Sequence, residues 1–335
     1  MLMNISDFSN EQLAGQRLMA GFDGTRLNDD LMFLIDSLKV GGIILFSRNL
    51  TSPDQIKNLC MSVQKHALNC GQPPLFISID QEGGKVARLK EPFTQFPGNP
   101  HMKNEEDARH FAEITASELK NIGINMNMAP VLDLAFEEIN SIMKERAFGH
   151  DPEWVSKLGV RVIEVLQKNR IMAVAKHFPG IGRTALDSHI EMPPLDADLQ
   201  TLETSDLRPF YKAIKHDVSG VMLSHILYSK IDKKWPASLS IKIAKDLLRD
   251  VMGFDGIAMT DDLDMGAIKS NYEIKTVIKQ ILSADIDIAL ICHKGPNIET
   301  AYYKILQELK DSKNIKARGV ESVKRILKAK EKYLL

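Results

Sequence analysis

The 335-residue chain reads as an α/β protein whose parallel sheet closes into one single-domain (β/α)8 TIM-type barrel. Three observations predict this class. Eight short apolar runs of strand length recur along the chain, each followed by a longer amphipathic stretch. In those stretches the apolar residues fall three and four apart, as on one face of a helix. The runs themselves are apolar throughout rather than alternating, which suits strands covered by helices on both faces. Eight such strands close a barrel; a doubly wound open sheet is the competing arrangement.

In chain order the predicted strands are residues 16–22, 42–46, 75–80, 124–132, 172–178, 220–226, 256–260 and 287–292. Helical spacing marks 54–68, where Ile56, Leu59, Cys60 and Val63 share a face, and also 104–122, 152–167 and 276–284. A lysine-rich helix is predicted at about 315–333. Val320, Val323, Ile326 and Leu327 keep helical spacing there, and its lysines read as a solvated face. No internal repeat or Gly/Pro/Ser-rich linker divides the chain, so one barrel over residues 1–335 is expected.

Composition narrows the function. Hydrophobic residues at 44% and charged residues at 26% exclude a disordered or fibrous chain. With 43 Lys plus Arg against 44 Asp plus Glu, the net charge is −1. That balance lacks the basic footprint of a nucleic-acid binder and points to a small or uncharged partner. Cys60, Cys70 and Cys292 are odd in number without CxxC spacing, and read as buried reduced thiols. Residues 1–7 lack a basic segment followed by an apolar one, and no apolar run approaches a membrane span of about 18 residues. A cytoplasmic, monomeric protein without membrane insertion is expected.

In a parallel barrel the chemistry lies at the C-terminal strand ends, and the unusual residues fall there. The third run leads into Asp80-Gln81-Glu82-Gly83-Gly84-Lys85-Val86-Ala87-Arg88. The fourth is followed by Asp133 and by Lys144-Glu145-Arg146-Ala147-Phe148-Gly149. The fifth leads through Lys176-His177-Phe178-Pro179-Gly180-Ile181-Gly182-Arg183 to Asp187-Ser188-His189. Ser224-His225 ends the sixth, and Thr260-Asp261-Asp262-Leu263 the seventh. Buried charge is costly unless paired, so charged groups at several strand ends argue for a site. Gly83-Gly84 and Gly180/Gly182 suit positive φ or a close backbone approach, and Gly180–Gly182 reads as a mobile loop. Neither GxGxxG nor GxxxxGKS spacing is present, which argues against a nucleotide. Asp187-x-His189 fits a carboxylate that orients an imidazole for proton transfer. Asp261 fits a nucleophile at an anomeric carbon, and Asp262 a structural acceptor or helix cap.

Together these blocks resemble glycoside hydrolase family 3, in its β-N-acetylglucosaminidase branch. The resemblance rests on Lys176-His177-Phe178-Pro179-Gly180-x-Gly182 with Asp187-Ser188-His189. Asp80-Gln81-Glu82-Gly83-Gly84, Asn127-Met128-Ala129-Pro130-Val131-Leu132-Asp133, Arg146-Ala147-Phe148-Gly149 and Thr260-Asp261-Asp262-Leu263-x-Met265 complete it, in the family's order from about residue 18 to 292. It implies a (β/α)8 barrel, no metal, no cofactor, and a carbohydrate partner. It further implies release of terminal N-acetylglucosamine from muropeptides carrying 1,6-anhydro-N-acetylmuramic acid. Carried over by position, Asp261 is the nucleophile and His189, held by Asp187, the acid/base. Asp80, Arg88, Arg146, Lys176 and His177 hold the sugar. Ile181, Arg183 and, more mildly, Lys85 depart from the branch's pattern. Rival readings are a metal-dependent barrel hydrolase using His177, His189, His225 and Asp261, a Schiff-base aldolase using Lys176, and an inactive muropeptide sensor.

Overall fold

The computed structural model describes residues 5–185, 192 and 194–335. Eight strands form a closed, all-parallel barrel in sequential order: β1 (Leu18–Ala20), β2 (Gly42–Leu45), β3 (Phe76–Ile79), β4 (Met126–Asn127), β5 (Met172–Phe178), β6 (Gly220–Leu223), β7 (Ile257–Asp262) and β8 (Ile288–Ile291). β8 pairs back onto β1 through Leu18↔Ala289, Met19↔Leu290 and Ala20↔Ile291. Each predicted strand is present, so the open-sheet alternative falls.

Helices pack outside the barrel because each carries an apolar stripe, and the first four also begin at a side-chain cap. α1 (Asp29–Asp36) is capped by Asn28, and α2 (Pro53–Asn69) by Ser52 with Pro53 at its first turn. α2 buries Ile56, Leu59, Cys60, Val63 and Ala67 along one side. α3 (Glu105–Asn121) and α4 (Pro152–Lys168) begin at Asn104 and Asp151 in the same way. α5 (Leu207–Lys215), a wide helix of π geometry over Lys242–Val251, α6 (Ile274–Ser283) and α7 (Pro296–Asp311) complete the ring.

Strand alternation sends every second side chain inward. The inner core is rich in methionine, with Met19, Met126, Met128, Met172, Met222 and Met259 packed beside Ile44, Phe76, Val174, Ile257, Ile288 and Leu290. Unbranched thioethers fill the irregular space a twisted barrel leaves. The stretch 124–132, expected as one strand, forms a ladder only at Met126–Asn127, with an isolated bridge from Val131 to Lys176. Pro130 has no N–H to donate, so a regular ladder cannot run through it.

The last helix, α8 (Lys313–Leu334), keeps the expected solvated face at Lys313, Lys316, Lys324, Lys328 and Lys332 but turns Lys330 inward. Val323, Ile326, Lys330 and Tyr333 are buried, and Ile326 and Tyr333 belong to the cluster that fills the barrel. Lys330 is 2% exposed; its Nζ donates to Gln16 Oε1 at 2.6 Å and stands 5.3 Å from the centre of the Phe76 ring. Nearby, Arg249 and Arg325 grip the two oxygens of buried Asp287 at 2.5 and 2.8 Å. The cysteines also differ from expectation: Cys60 and Cys292 are buried, but Cys70 is exposed just past the end of α2.

Candidate active site

The barrel is distorted where the charged residues emerge. The ladder between β5 and β6 shifts register between Lys176 and Phe178, and that between β7 and β8 shifts between Met259 and Asp262. Such irregularities re-aim side chains at barrel rims, here on the strands that carry Lys176, His177 and Asp261. The Lys176–His177 and Phe178–Pro179 peptides are cis.

One charge network joins three strand ends. Lys176 Nζ lies 2.7 Å from Asp80 Oδ1 and 2.7 Å from Glu82 Oε1. Arg146 holds Glu82 with two bonds, Nη2 to Oε1 at 2.7 Å and Nε to Oε2 at 3.0 Å. Arg88 Nη2 donates to Asp80 Oδ2 at 3.2 Å. The Glu82 side chain is 1% exposed and that of Lys176 3%, whereas Asp80 keeps 15% and Arg88 32%. Glu82 and Lys176 therefore form a buried floor on which Asp80, Arg88 and Arg146 face the opening. Burial opposes the charge on Asp80 and Glu82, but Lys176 beside both, with Arg88 on Asp80 and Arg146 on Glu82, holds both carboxyls below the usual range. Burial likewise opposes the Lys176 ammonium, and the two carboxylates more than offset it, raising its pKa.

His177 is fixed from below. Its Nδ1 lies 2.7 Å from Asp133 Oδ2, which also accepts the His177 backbone N–H at 3.0 Å. Asp133 Oδ1 accepts the Ile181 N–H at 2.8 Å. The His177 Nε2 edge is left toward Arg146 Nη2, 3.4 Å away. Asp261 accepts the Asp262 N–H at 2.8 Å on Oδ1. Burial opposes its charge, but His177, His225, that N–H and Lys176 prevail and hold its carboxyl below the ordinary range. Asp262 is used differently: its Oδ1 accepts the N–H groups of Asp264 at 3.0 Å and Cys292 at 2.9 Å, a structural acceptor as expected. Burial pushes its carboxyl upward. Two adjacent carboxylates thus have opposite environments, one poised as an anion and one spent on backbone.

Glu82 and Asp133 carry much of this arrangement, and the sequence motifs alone give neither a role. Charge balance is their signal in the sequence: Arg88, Arg146 and Lys176 are three cations at the rim, and Asp80 alone cannot compensate them when one is fully buried and two are half-buried. The glycine expectation holds at Gly84 (φ +63°), where a Cβ would lie 2.8 Å from Gly98 Cα. Gly180–Gly182, expected as a mobile loop, is packed against its neighbours in this conformation. A Cβ at Gly182 would come within 1.5 Å of the Leu134 carbonyl oxygen, and Tyr228 donates its O–H to the Gly180 carbonyl at 2.8 Å. Arg183 donates to Asp206 Oδ2 and Ser205 Oγ, both at 2.7 Å, with its guanidinium 4.3 Å above the Phe136 ring. Buried Asp133 and Asp206 each need donors, and this segment supplies them. Asp187 and His189 lie outside the described residues.

The rival chemistries fit this geometry poorly. Neither His177 nor His225 belongs to a three-ligand cluster among the described residues. His225 Nδ1 faces Ser238 Oγ at 2.7 Å and its Nε2 faces the Asp262 carbonyl at 2.9 Å. Lys176, clamped between two carboxylates with its pKa raised, lacks the free amine a Schiff base requires.

A model of the glycosyl hydrolase family 3 N-terminal domain matches residues 10–329. The chain belongs to glycosyl hydrolase family 3. A beta-hexosaminidase of Nitrosomonas eutropha is 37% identical over 285 residues, covering 82% of this chain and 80% of the relative. A beta-hexosaminidase of Pseudomonas aeruginosa is 32% identical over 299 residues, 88% of this chain and 87% of that one. Among solved structures, a family 3 β-N-acetylglucosaminidase from Paenibacillus superposes with a TM-score of 0.94 at 36% identity, covering 98% of this chain and 63% of that one. A β-N-acetylhexosaminidase from Beutenbergia cavernae gives 0.90 at 26% identity, covering 97% and 99%. This family 3 chain is a glycoside hydrolase built on a (β/α)8 barrel, and none of its described helices is long and apolar enough to cross a membrane.

Proposed function

We propose that this glycoside hydrolase is a retaining exo-β-N-acetylglucosaminidase that works through a covalent glycosyl-aspartate at Asp261. The observation that carries the reading is the contrast at the end of β7. Asp261 is kept anionic by His177, His225 and Lys176, as a nucleophile must be, while Asp262 beside it is occupied by backbone donors. The Asp261 carboxylate attacks the anomeric carbon as the glycosidic bond breaks. His189, oriented by Asp187, protonates the departing oxygen. It then takes a proton from the water that attacks the anomeric carbon and frees Asp261.

Asp80, Arg88, Arg146, Lys176 and His177 form the sugar subsite in this reading. Asp80, Arg88 and Arg146 have the exposure to reach hydroxyls and the acetamide, and Lys176 and His177 hold them in register. Charge-assisted hydrogen bonds of this kind contribute about 1.5–3 kcal/mol each, so a sugar lacking their partners should be rejected. The substrate proposed from the family resemblance is a muropeptide fragment with a 1,6-anhydro-N-acetylmuramic acid aglycone, cleaved in the cytoplasm during cell-wall recycling by a monomeric enzyme. The names of the relatives support the sugar part of this reading.

The test is release of 4-nitrophenol from its β-N-acetylglucosaminide compared with its β-glucoside, followed by peptide mapping after a 5-fluoro glycoside. Strong preference for the N-acetyl sugar and a label on Asp261 are expected. Equal turnover of the glucoside would make the protein a general β-glucosidase, and a label on Asp262 would reverse the two roles.

A further inference from the structure

Beyond the glycosidase site, three side chains of different chemistry meet at the ends of α1 and α2. Asp36 is the last residue of α1, His66 lies in the last turn of α2, and Cys70 follows α2 directly. His66 and Cys70 are four residues apart and share a helical face. His66 Nε2 is 2.8 Å from Asp36 Oδ1, Cys70 Sγ is 3.0 Å from the same oxygen, and Sγ stands 3.8 Å from Nε2. These atoms come from two helices and from positions 30 and 34 residues apart, and all lie within 4.8 Å of one another.

We propose that Asp36, His66 and Cys70 form a binding site for a borderline-soft divalent metal ion, Zn2+ above all, with water as fourth ligand. One thiolate sulfur, one imidazole nitrogen and one carboxylate oxygen are the donor set that zinc accepts, whereas calcium and magnesium require six or more oxygens. Tetrahedral zinc with ordinary bond lengths separates its ligand atoms by about 3.3–3.6 Å. The Sγ–Nε2 distance is already near this, and a small rotation of the Asp36 carboxylate opens the other two. Two helix C-termini converge here with their negative dipole ends, which favours a cation. Asp36 and Cys70 are exposed, so solvent can reach the fourth position.

On binding, the Cys70 thiol proton passes to solvent and Sγ coordinates as thiolate, while the imidazole carries its remaining proton on Nδ1 and coordinates through Nε2. Without metal, the Asp36 carboxylate beside Cys70 raises the thiol pKa, so the group is a poor free nucleophile. Lys39, whose Nζ donates to the Asp36 carbonyl at 3.1 Å, is the other charge facing the cluster and opposes the cation weakly. The ends of α1 and α2 lie at the barrel face opposite the strand ends that carry Asp261, so the ion is structural rather than a participant in hydrolysis.

The test uses zinc or cobalt ions alone with the full chain. One zinc per chain should survive dialysis, and Co2+ should give a near-ultraviolet thiolate charge-transfer band. Both should vanish in Cys70→Ser and His66→Ala, and affinity should fall at least about tenfold in Asp36→Asn. Glycosidase activity of these variants should match the parent, and added zinc should raise the melting temperature of the parent but not of Cys70→Ser. A second group of possible ligands stands at the other barrel end, where His293 Nδ1 lies 3.6 Å from Asp262 Oδ2 and 3.7 Å from Asp264 Oδ2; His293→Ala removes it and should leave the cobalt–thiolate band intact. Retention of stoichiometric zinc in Cys70→Ser, loss of the band in His293→Ala, or no zinc bound by the parent would each overturn the proposal.

Discussion

The barrel buries two lysines, one toward each end, and they are treated in opposite ways. Lys176 at the strand C-termini sits between Asp80 and Glu82, and the carboxylates raise its pKa. Among the described residues, Lys330, brought in by the last helix, meets the Gln16 side-chain oxygen and the face of Phe76 and no carboxylate. Burial lowers its pKa to about 7. Neutral acceptors and an aromatic face offset part of that burial, but they do not replace a counter-ion. The difference teaches where a charge serves chemistry and where it fills space. Around Lys176 the positive charge holds an anionic network beside Asp261. Around Lys330 an alkyl stem completes an apolar plug.

Asp261→Asn sharpens the contrast most. Loss of the nucleophile should lower kcat on a β-N-acetylglucosaminide by at least about 10³-fold, measured in steady state with the chromogenic substrate. Asp262→Asn should cost much less activity, since Asp262 bonds backbone N–H groups; an equal loss at both would break the division of roles.

Lys176→Met should destabilise by about 3–5 kcal/mol, the usual cost of stripping one partner from a buried ion pair. Two buried carboxylates would keep Arg88 and Arg146 but lose their shared ammonium, and kcat/KM should fall with the fold stability. Urea unfolding measures the first effect. A loss below about 1 kcal/mol, the size of a surface pair, would mean that water already solvates the floor.

Lys330→Met should act in the other direction, raising stability below about pH 7 by about 1–4 kcal/mol, the size seen when buried ionic groups are replaced by apolar ones. The pH dependence gives the sign. Between about 7, where the folded ammonium loses its proton, and 10.5, where the unfolded one does, the unfolded chain binds the proton and the folded chain does not. Stability from this group therefore rises with pH across that window, and its full cost is present below it. Lys176 behaves oppositely: its pKa is raised, so its contribution is fully present below 10.5 and is lost only as pH rises through the higher folded value. Unfolding midpoints from pH 6 to 10 should climb in the parent and flatten in Lys330→Met; an unchanged slope would place the Lys330 charge in contact with water.

Tyr333→Phe is the smallest perturbation. Its hydroxyl lies 2.5 Å from Ser219 Oγ, and losing that bond should cost about 0.5–1.5 kcal/mol with kcat unchanged. A fall in kcat would show that the two barrel ends are coupled.

Local sequence by itself determined the barrel. Strand runs, helical stripes and caps depend on neighbours within a few residues, and all eight strands stand where the apolar runs lie, with Met172–Phe178 matching end for end. It also located the rim residues, because charges directly after buried strands have few other places to go. Tertiary structure alone decided how those charges pair. Lys176 meets Asp80 across 96 positions, His177 meets Asp133 across 44, and Lys330 meets Gln16 across 314. It also packed Gly180–Arg183 against Asp133 and Asp206, where glycines alone suggested a mobile loop, and turned a lysine of the tail inward. The reason is that periodicity is a property of the backbone, readable in a short window. Burial and charge compensation depend on which distant segments the closed barrel brings face to face.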